Sequence, residues 1–402
     1  MRLLKLGVYY SAYLQQFYKQ FPALAAKDYS TQHAALMYDC FGSSNFWTKA
    51  LNQLNYETCD IVANAEPMQK MWANEQGLEF DQSHWMFDIA AAQIQVLRPD
   101  VLLIADYSTV TAKFLRHLKT TCPSIRLVLG WCGAPFQDGS IFRECDIVLS
   151  CVPELVATFK YDGHRSHHVN HAFEPLILGR IDQSAPANAD FVFIGSIVKS
   201  VQFHIEREKV LSQLVKETDL RIWSDLEQQQ SSTRRSAAGG AVARRAAGFI
   251  FGRSNTSPAR PAVDTAVKDR SQPPLFGRGM FQQLHDSRVA LNTHIDISPI
   301  NASNMRLFEA TGVRTCLLTD WKENLVTLFE PDTEVLTYRS VEECCEKVRY
   351  ILDHENVRLS VAAAGQARTL RDHNFAARAA QIDEIICDAL LKNVGHRSAT
   401  SQ

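Results

Sequence analysis

Short, nearly uninterrupted apolar runs recur along this chain, each separated from the next by a longer stretch with apolar residues on one helical face. In the first half the runs are Leu3–Tyr9, Thr58–Ala63, Val101–Asp106, Arg126–Trp131 and Asp146–Cys151. Between them, Thr31–Cys40, Trp85–Val96 and Thr109–Lys119 carry helical periodicity. A strand that is apolar throughout must be covered on both faces, and strands that alternate with helices pair in parallel through crossovers. Arg98-Pro99-Asp100 sharpens one boundary: the residue before a proline leaves the helical region, and a strand follows at once.

The pattern then restarts. Phe191–Ser196, Leu220–Trp223, Val289–Thr293, Thr315–Asp320 and Glu334–Tyr338 read as strands, and His204–Glu217, Ala302–Thr311 and Val341–Leu352 as helices. Val357–Leu370 and Ala376–Leu391 close the chain as two more helices. The expected fold is α/β, two Rossmann-like units in tandem, each a parallel sheet with helices on both faces. A length of 402 residues suits two such domains. The expected division is 1–175 and 176–392, with the boundary in His171–Pro186 and a disordered tail at 393–402. Residues 227–274, rich in Ser, Ala, Gly, Arg and Pro, are expected as a flexible insertion in the second unit. Within it, Arg234, Arg235, Arg244 and Arg245 lie near Phe249-Ile250-Phe251. Segment 234–252 is thus either a peripheral membrane contact or a plain solvated insertion.

Composition narrows the function classes. A net charge of −2 gives no general reason for nucleic acid or an anionic membrane as partner. No run approaches the ~18 apolar residues of a membrane span, and the start of the chain fits a first strand better than a signal peptide. The ten cysteines include no Cys-x-x-Cys, so reduced buried thiols and a cytoplasmic location are expected. Gly-x-x-x-x-Gly-Lys-Ser/Thr, His-Glu-x-x-His and Gly-x-Ser-x-Gly are missing, against P-loop, metalloprotease and esterase chemistry. The one Gly-x-Gly, Gly277–Gly279, follows a Pro-rich loop rather than a strand. His164, His167, His168 and His171 would share a face on a helix, but Asp162-Gly163 signals a turn, and a strand would split them between two sides.

The segment richest in chemistry is Arg288–Asp320. A strand ends at Asn292-Thr293-His294, a polar loop crosses, and a helix is expected to begin near Ala302–Asn304. Arg306 and Glu309 then share one face in its first turns. Open α/β sheets bind ligands at the carboxyl ends of strands, beside helix starts. A guanidinium there suits a diphosphate, and a carboxylate suits the paired hydroxyls of a ribose. The plainer reading of the pair is a helix-surface ion pair. Asp-x-Asp, the pair a metal-dependent sugar transferase would use, is missing, so a transferase would neutralise its leaving group with cationic side chains and helix N-termini.

The stretches Asn304-Met305-Arg306-Leu307-Phe308-Glu309-Ala310-Thr311-Gly312 and Leu317-Leu318-Thr319-Asp320 resemble the signature of the CgeB-like (spore-maturation-type) glycosyltransferases. The resemblance continues through Leu328–Pro331, Glu334–Tyr338, Ala364-Gly365-Gln366 and Asp372–Arg378, with Phe193-Ile194-Gly195-Ser196 upstream. It covers most of 190–385. In the first half it is looser, at Asn64, Gln69, Trp72-Ala73, Glu75-Gln76-Gly77 and His171–Pro175. It implies a GT-B fold of two facing Rossmann-like domains with a group 1 type glycosyl transferase C-terminal domain. It also implies metal-independent transfer from a nucleotide-diphosphate sugar, with no cofactor. By the same resemblance Glu309 holds the ribose, while Arg306 and the Gly195-Ser196 loop approach the diphosphate. Asn292, His294, Asn304, Thr319 and Asp320 complete the expected nucleotide-sugar site. Many GT-B enzymes carry an earlier glutamate in this loop; here the stretch reads His294-Ile295-Asp296-Ile297-Ser298, and either His294 or Asp296 is open to take its part.

On the acceptor side, Tyr9-Tyr10-Ser11, Asp106-Tyr107-Ser108 and Trp131-Cys132-Gly133 follow expected strands, where a pocket would open. His294 is the first candidate for a catalytic group near the reacting carbon and Asp106 for an acceptor-side base; a structural histidine is the alternative for His294. The acceptor is a glycan (a surface glycan among the options), a protein or a small molecule. Two other functions fit the same fold: a non-catalytic nucleotide-binding or scaffold protein, and a nucleotide-sugar epimerase.

Overall fold

The computed structural model describes residues 1–199, 203–225 and 263–399. The first sheet contains β1 (Arg2–Gly7), β2 (Glu57–Val62), β3 (Val101–Ile104), β4 (Leu127–Trp131), β5 (Ile147–Ser150) and β6 (Ser166–His168). They are parallel, in the order β2-β1-β3-β4-β5-β6. The second contains β7 (Ala189–Ile194), β8 (Arg221–Trp223), β9 (Ser271–Gln272), β10 (Ser287–Asn292), β11 (Cys316–Asp320) and β12 (Leu336–Tyr338). They too are parallel, in the order β12-β11-β10-β7-β8-β9.

The apolar runs of the sequence are explained by alternation. Leu3, Leu103, Leu129 and Leu149 enter one core, while Leu4, Leu102, Ile104, Val128 and Val148 enter another on the opposite face. In the second sheet Val192, Ile194, Ala290 and Leu317 face one core, and Phe191, Phe193, Val289, Leu291 and Leu318 the other. Both faces are therefore dry, as a parallel sheet requires. One of these cores is common to both sheets, so the domains are joined through packed side chains.

Order reversal occurs between β1 and β3 in the first sheet and between β7 and β10 in the second. Strands on either side of such a point send their connections to opposite faces, which leaves a crevice at their carboxyl ends. Tyr9-Tyr10 and Ala105-Asp106 flank the first crevice; Gly195-Ser196 and Thr293-His294 flank the second.

The structure departs from expectation in several places. Residues 263–274 are partly regular: helix Thr265–Arg270 is capped by Asp264 Oδ1, which accepts from the Ala266 N–H at 2.8 Å, and β9 follows it. The remainder of the expected insertion, including 234–252, lies outside the described residues. The final helix, Phe375–Ala399, runs through most of the expected tail. Gly277-Arg278-Gly279 opens helix Gly277–His285, and Gly277 has φ +52°. The histidine cluster is spread along β6 and the crossover: His168 Nε2 meets the Cys151 carbonyl at 3.2 Å, and the His171 ring lies 5.5 Å from that of Trp131. Among the described residues no group of His, Cys, Asp or Glu is placed to hold a metal ion, and no helix is long and apolar enough to cross a membrane.

The chain passes between the domains twice. The first crossing carries Phe173, fully buried, whose N–H donates to the His373 carbonyl at 2.8 Å. Gly312 lies against its ring so closely that a Cβ would overlap it. The second crossing is the final helix, whose Phe375 packs on Trp47 (5.0 Å) and Phe46 (5.2 Å) of the first domain. His373 joins the two crossings: its Nε2 meets the Leu328 carbonyl at 2.7 Å and its Nδ1 meets Arg378 Nη2 at 2.9 Å. Only the neutral ring can donate to a carbonyl and accept from a guanidinium in this way. Burial is the main cause that brings its pKa down to about 4, with Arg378 and Arg368 adding to it.

Two predictions follow from these crossings. Gly312→Ala should lower stability by about 1–3 kcal/mol through overpacking. Phe173→Ala should relieve part of that, so the double variant is less destabilised than the sum of the single ones; strict additivity in urea midpoints would reject the contact. Second, a histidine depressed in the fold binds its proton more readily once unfolded, so its stabilising share is complete above about pH 6.5 and falls as pH drops towards 4. His373→Gln keeps both hydrogen bonds without a proton to take up. Wild type should therefore lose stability relative to this variant between pH 6.5 and 4, and parallel pH profiles would refute that.

Candidate active site

The second crevice is organised by two charged pairs. Helix Arg306–Gly312 begins later than expected, because residues 302–304 are held as loop. Asn304 Nδ2 donates to Asn292 Oδ1 at 3.0 Å and to the Thr293 carbonyl at 2.6 Å, while the Ala302 N–H donates to Asn324 Oδ1 at 2.5 Å. The delay puts Arg306 and Glu309 in the first turn, where Arg306 Nη1 lies 3.0 Å from Glu309 Oε2. This is no surface pair: the side chains are 15% and 9% exposed. Burial raises the Glu309 carboxyl above its ordinary value, and Arg306 draws it only part of the way back. Arg306 Nη1 also touches Met280 Sδ at 3.1 Å.

The second pair is His294 with Asp320. The Asp320 carboxylate accepts from the His294 N–H at 3.1 Å and meets His294 Nδ1 at 2.7 Å, and Lys322 Nζ lies 3.4 Å away. Burial opposes the charge on Asp320, but His294 and Lys322 together outweigh it and hold the carboxyl below its ordinary value. A carboxylate can only accept, so Nδ1 carries a proton and the ring turns Nε2 away from Asp320. Nε2 is buried and has no hydrogen-bond partner.

Other expected site residues are tied into the frame. Asn292 Nδ2 donates to Thr319 Oγ1 at 2.9 Å, bracing β10 against β11, and both residues are buried. Asp296 accepts from the Ile205 N–H at 2.7 Å, capping helix Ile205–Glu217 from a distant loop. Of the two candidates left open in that loop, His294 is the one with an unsatisfied polar atom. Gly195 donates its N–H to the Trp223 carbonyl at 3.1 Å, and Ser196 beside it is exposed at the crevice.

In the first domain Asp106 accepts from the Ser108 N–H (3.2 Å), Ser108 Oγ (2.6 Å) and the Thr109 N–H (2.8 Å), so both its oxygens are engaged by its own loop. Tyr10, 56% exposed, belongs to the same cleft. Desolvation raises its phenol first, and the negative charges of Glu309 and Asp106 add to that. The charges of Asp106 and Glu309, from opposite domains, thus both reach Tyr10.

Arg207 was not anticipated. It is buried beneath the crevice and ties its two loops together: Nη1 donates to the Ser196 carbonyl (2.8 Å), Nε to Thr293 Oγ1 (2.9 Å) and Nη2 to the Thr293 carbonyl (2.7 Å). Burial lowers its pKa to about 10 against the pull of Asp320 and Asp296. In Glu206-Arg207-Glu208-Lys209 it looks like one more solvated charge, and no spacing marks it. Glu154 was missed as well; it accepts from Ser298 Oγ and the Asn301 N–H, both at 3.2 Å, linking the first domain to the His294 loop.

Residues 207–384 match the glycosyl transferase-like family. The whole chain is similar in fold to sucrose-phosphate synthase from Thermosynechococcus elongatus (TM-score 0.56, 11% identity, 98% of this chain and 100% of that one). It is similar also to a glycosyltransferase from Rickettsia africae ESF-5 (TM-score 0.53, 10% identity, 97% and 98%). A third similar structure is Anabaena HepE in complex with UDP-glucose (TM-score 0.52, 11% identity, 96% and 100%). No curated protein matches the chain. Together these likenesses give the GT-B fold for the chain and a glycosyl transferase-like character for its C-terminal half.

One prediction tests the anchoring of His294. Asp320→Asn should lower stability at pH 7 by about 1.5–3 kcal/mol, the range for hydrogen bonds to a charged group. A depressed carboxyl stabilises above its unfolded pKa and ceases to as pH falls through its folded value. The gap between wild type and variant should thus persist down to about pH 4 and shrink only below it. Equal urea midpoints at pH 7 would show that the pair does not hold the loop.

Proposed function

We propose that this chain, a GT-B protein whose residues 207–384 are glycosyl transferase-like, is a glycosyltransferase that takes its sugar from a nucleoside diphosphate without a metal ion. The observation that carries this reading is the buried Arg306–Glu309 pair beside the His294–Asp320 pair, both at the order-reversal crevice of the second sheet. Glu309 is the partner for the two ribose hydroxyls, and Arg306 is the cation for the diphosphate. The exposed Gly195-Ser196 loop, held from below by Arg207, brings backbone to the phosphates. With no Asp-x-Asp in the sequence, these groups take the charge-neutralising role a metal would otherwise have.

In the transfer, an acceptor hydroxyl oxygen bonds to the anomeric carbon. The bond from that carbon to the diphosphate breaks, its electron pair stays on the phosphate oxygen, and the hydroxyl proton is released. His294 Nε2, buried and unpartnered just after β10, is the atom for a sugar hydroxyl or, from the neutral form of the ring, for that proton. Asp320 is then a positioning residue, since its carboxylate is already taken up by His294 and Lys322. Asp106 supports its own loop in the acceptor half. The features specific to CgeB-like enzymes belong to this proposal on the strength of the signature around Arg306 and Glu309.

UDP is the diphosphate to try first, because the Anabaena neighbour is in complex with UDP-glucose. At 100 times its dissociation constant a ligand adds about 2.7 kcal/mol of apparent stability, a shift visible in thermal unfolding. UDP should stabilise wild type equally with and without EDTA, and the response should be lost in Glu309→Ala and Arg306→Ala. A UDP effect that survives both substitutions would move the site elsewhere. No response to UDP, GDP, TDP or ADP would end the transferase reading.

A further inference from the structure

The donor crevice has a neighbour that the reaction outlined above does not use. Helix Ser11–Gln20 starts behind Tyr10, after β1, and helix Gly277–His285 starts behind Phe276, after β9. Between them stands an aromatic wall: Tyr13 is stacked on Phe41 at 3.9 Å, and Phe276 meets both edge-on at 5.8 and 5.6 Å. Tyr9 and Tyr10 meet Phe41 edge-on at 5.1 and 5.5 Å. Beside this wall is a cavity of about 300 Å³ lined by Tyr13, Asp39, Arg180, Phe276, Arg278 and Gln282, among others.

The cavity continues into an apolar trough of about 530 Å³, for Phe17, Gln20, Asp39 and Arg278 line both. The trough's own lining includes Phe21, Pro22, Leu24, Ala35 and Tyr38. Gly279 of the cavity wall is followed in its helix by Met280, whose Sδ touches Arg306. An apolar trough thus continues into a polar cavity between the domains, and a helix of the cavity wall also contacts the donor site.

We propose that this cavity and trough bind the acceptor, and that the acceptor is an amphiphile with an alkyl chain in the trough, a phosphate-class head at Arg180 and Arg278, and on that head the hydroxyl that takes the sugar. The proposal rests on the glycosyltransferase reading. The chain's place is marked by large apolar side chains left to water at a concave surface: Phe21 is 38% and Tyr38 48% exposed. The head's place is marked by charge. Arg180 and Arg278 each lie 4.6 Å from the ring of Tyr38. Arg180 makes its hydrogen bonds through Nη1 alone, to the Met37 and Tyr38 carbonyls and Cys40 Sγ.

Arg278 Nε is buried and has no hydrogen-bond partner; its ion pair with Asp39 is loose, at 3.5 Å. Among the described residues Asp39 is the one carboxylate lining the cavity, and it also accepts from Tyr13 Oη at 3.0 Å. Two guanidiniums against one carboxylate leave the cavity cationic, and Lys27 adds a charge on the rim of the trough. Guanidinium forks are matched to phosphate oxygens. The head therefore sits in the inter-domain cavity, against the helix whose Met280 touches Arg306.

The test is isothermal titration of the full chain with dodecyl phosphate below its micelle concentration, alongside UDP and inorganic phosphate. Dodecyl phosphate should bind wild type about a hundredfold more tightly than inorganic phosphate, because the chain supplies most of the affinity. Phe21→Glu, which puts a charge in the trough at an exposed position, should weaken it about tenfold or more, and Phe21→Leu should stay within about threefold. UDP affinity of both variants should stay within about twofold of wild type, which also certifies their fold. No binding of dodecyl phosphate, equal binding by Phe21→Glu, or equal binding of inorganic phosphate would each overturn the proposal. Binding of dodecyl phosphate by a wild type that binds no nucleoside diphosphate would remove the acceptor role and the donor reading together. Binding of UDP with no dodecyl phosphate response would remove the amphiphile alone.

Discussion

The seat of Phe173 on Gly312 is the contact on which the arrangement of this molecule depends. The ring comes from the crossover between the domains, and the glycine is the last residue of the helix that carries Arg306 and Glu309. Gln366 Nε2 donates to the Gly312 carbonyl at 2.9 Å, and Gly365 beside it lies against the Glu334 backbone with no room for a Cβ. A buried aromatic ring contributes about 1.5–3 kcal/mol by leaving water. Here it also fixes where the first domain stands relative to the helix that bears the charged pair. The second crossing, through Phe375 and Trp47, pins the same side. Two anchors on one side leave the other side for the cleft.

With that placement fixed, topology does the rest. The order reversals at β1/β3 and β7/β10 bring Tyr10, Asp106, Ser196 and His294 to two crevices that open on one space. The charged pairs differ in their margins. Glu309 is strained towards neutrality by burial, with Arg306 as its main compensation, so a ligand bearing hydroxyls and a diphosphate could take over both partners. Asp320 is held firmly as an anion by His294 and Lys322, so it has little to offer a ligand and much to offer the orientation of the imidazole.

Much of this was legible in the sequence because it follows from local physics. A strand dry on both faces has a near-continuous apolar signature, so the long strands stand out, as do helices such as Trp85–Leu97 and Val341–Asp353. Short edge strands do not: β6 is Ser166-His167-His168, with little apolar content, and β9 is two residues long. The pairing of Arg306 with Glu309 was readable from helical spacing, whereas its burial was not, since Met280, which touches Arg306, comes from a separate helix. The roles of Arg207 and Asp296 are set by partners 86 and 91 residues away, at Thr293 and Ile205. Asn292 and Thr319 look like ligand groups at strand ends, yet their side chains are spent on each other.

The same accounting shows what can move. Away from the two crossings the domains also meet through Glu154 with Ser298 and Asn301, through Arg278 with Asp39, through Phe276 against Tyr13 and Phe41, and through Ile295 and Ile297 against the first domain's core. A typical hydrogen bond contributes about 0.5–1.5 kcal/mol net, and a partly exposed ion pair about 0–1 kcal/mol. Widening the cleft would break these polar contacts and separate Phe276, Ile295 and Ile297 from the first domain, while unseating Phe173 or Phe375 would expose the rings that seat the two crossings. A rotation about the two crossings would carry Glu154 away from the loop of His294. In that geometry the imidazole keeps Asp320, which travels with its own sheet, and loses only the roof above its loop.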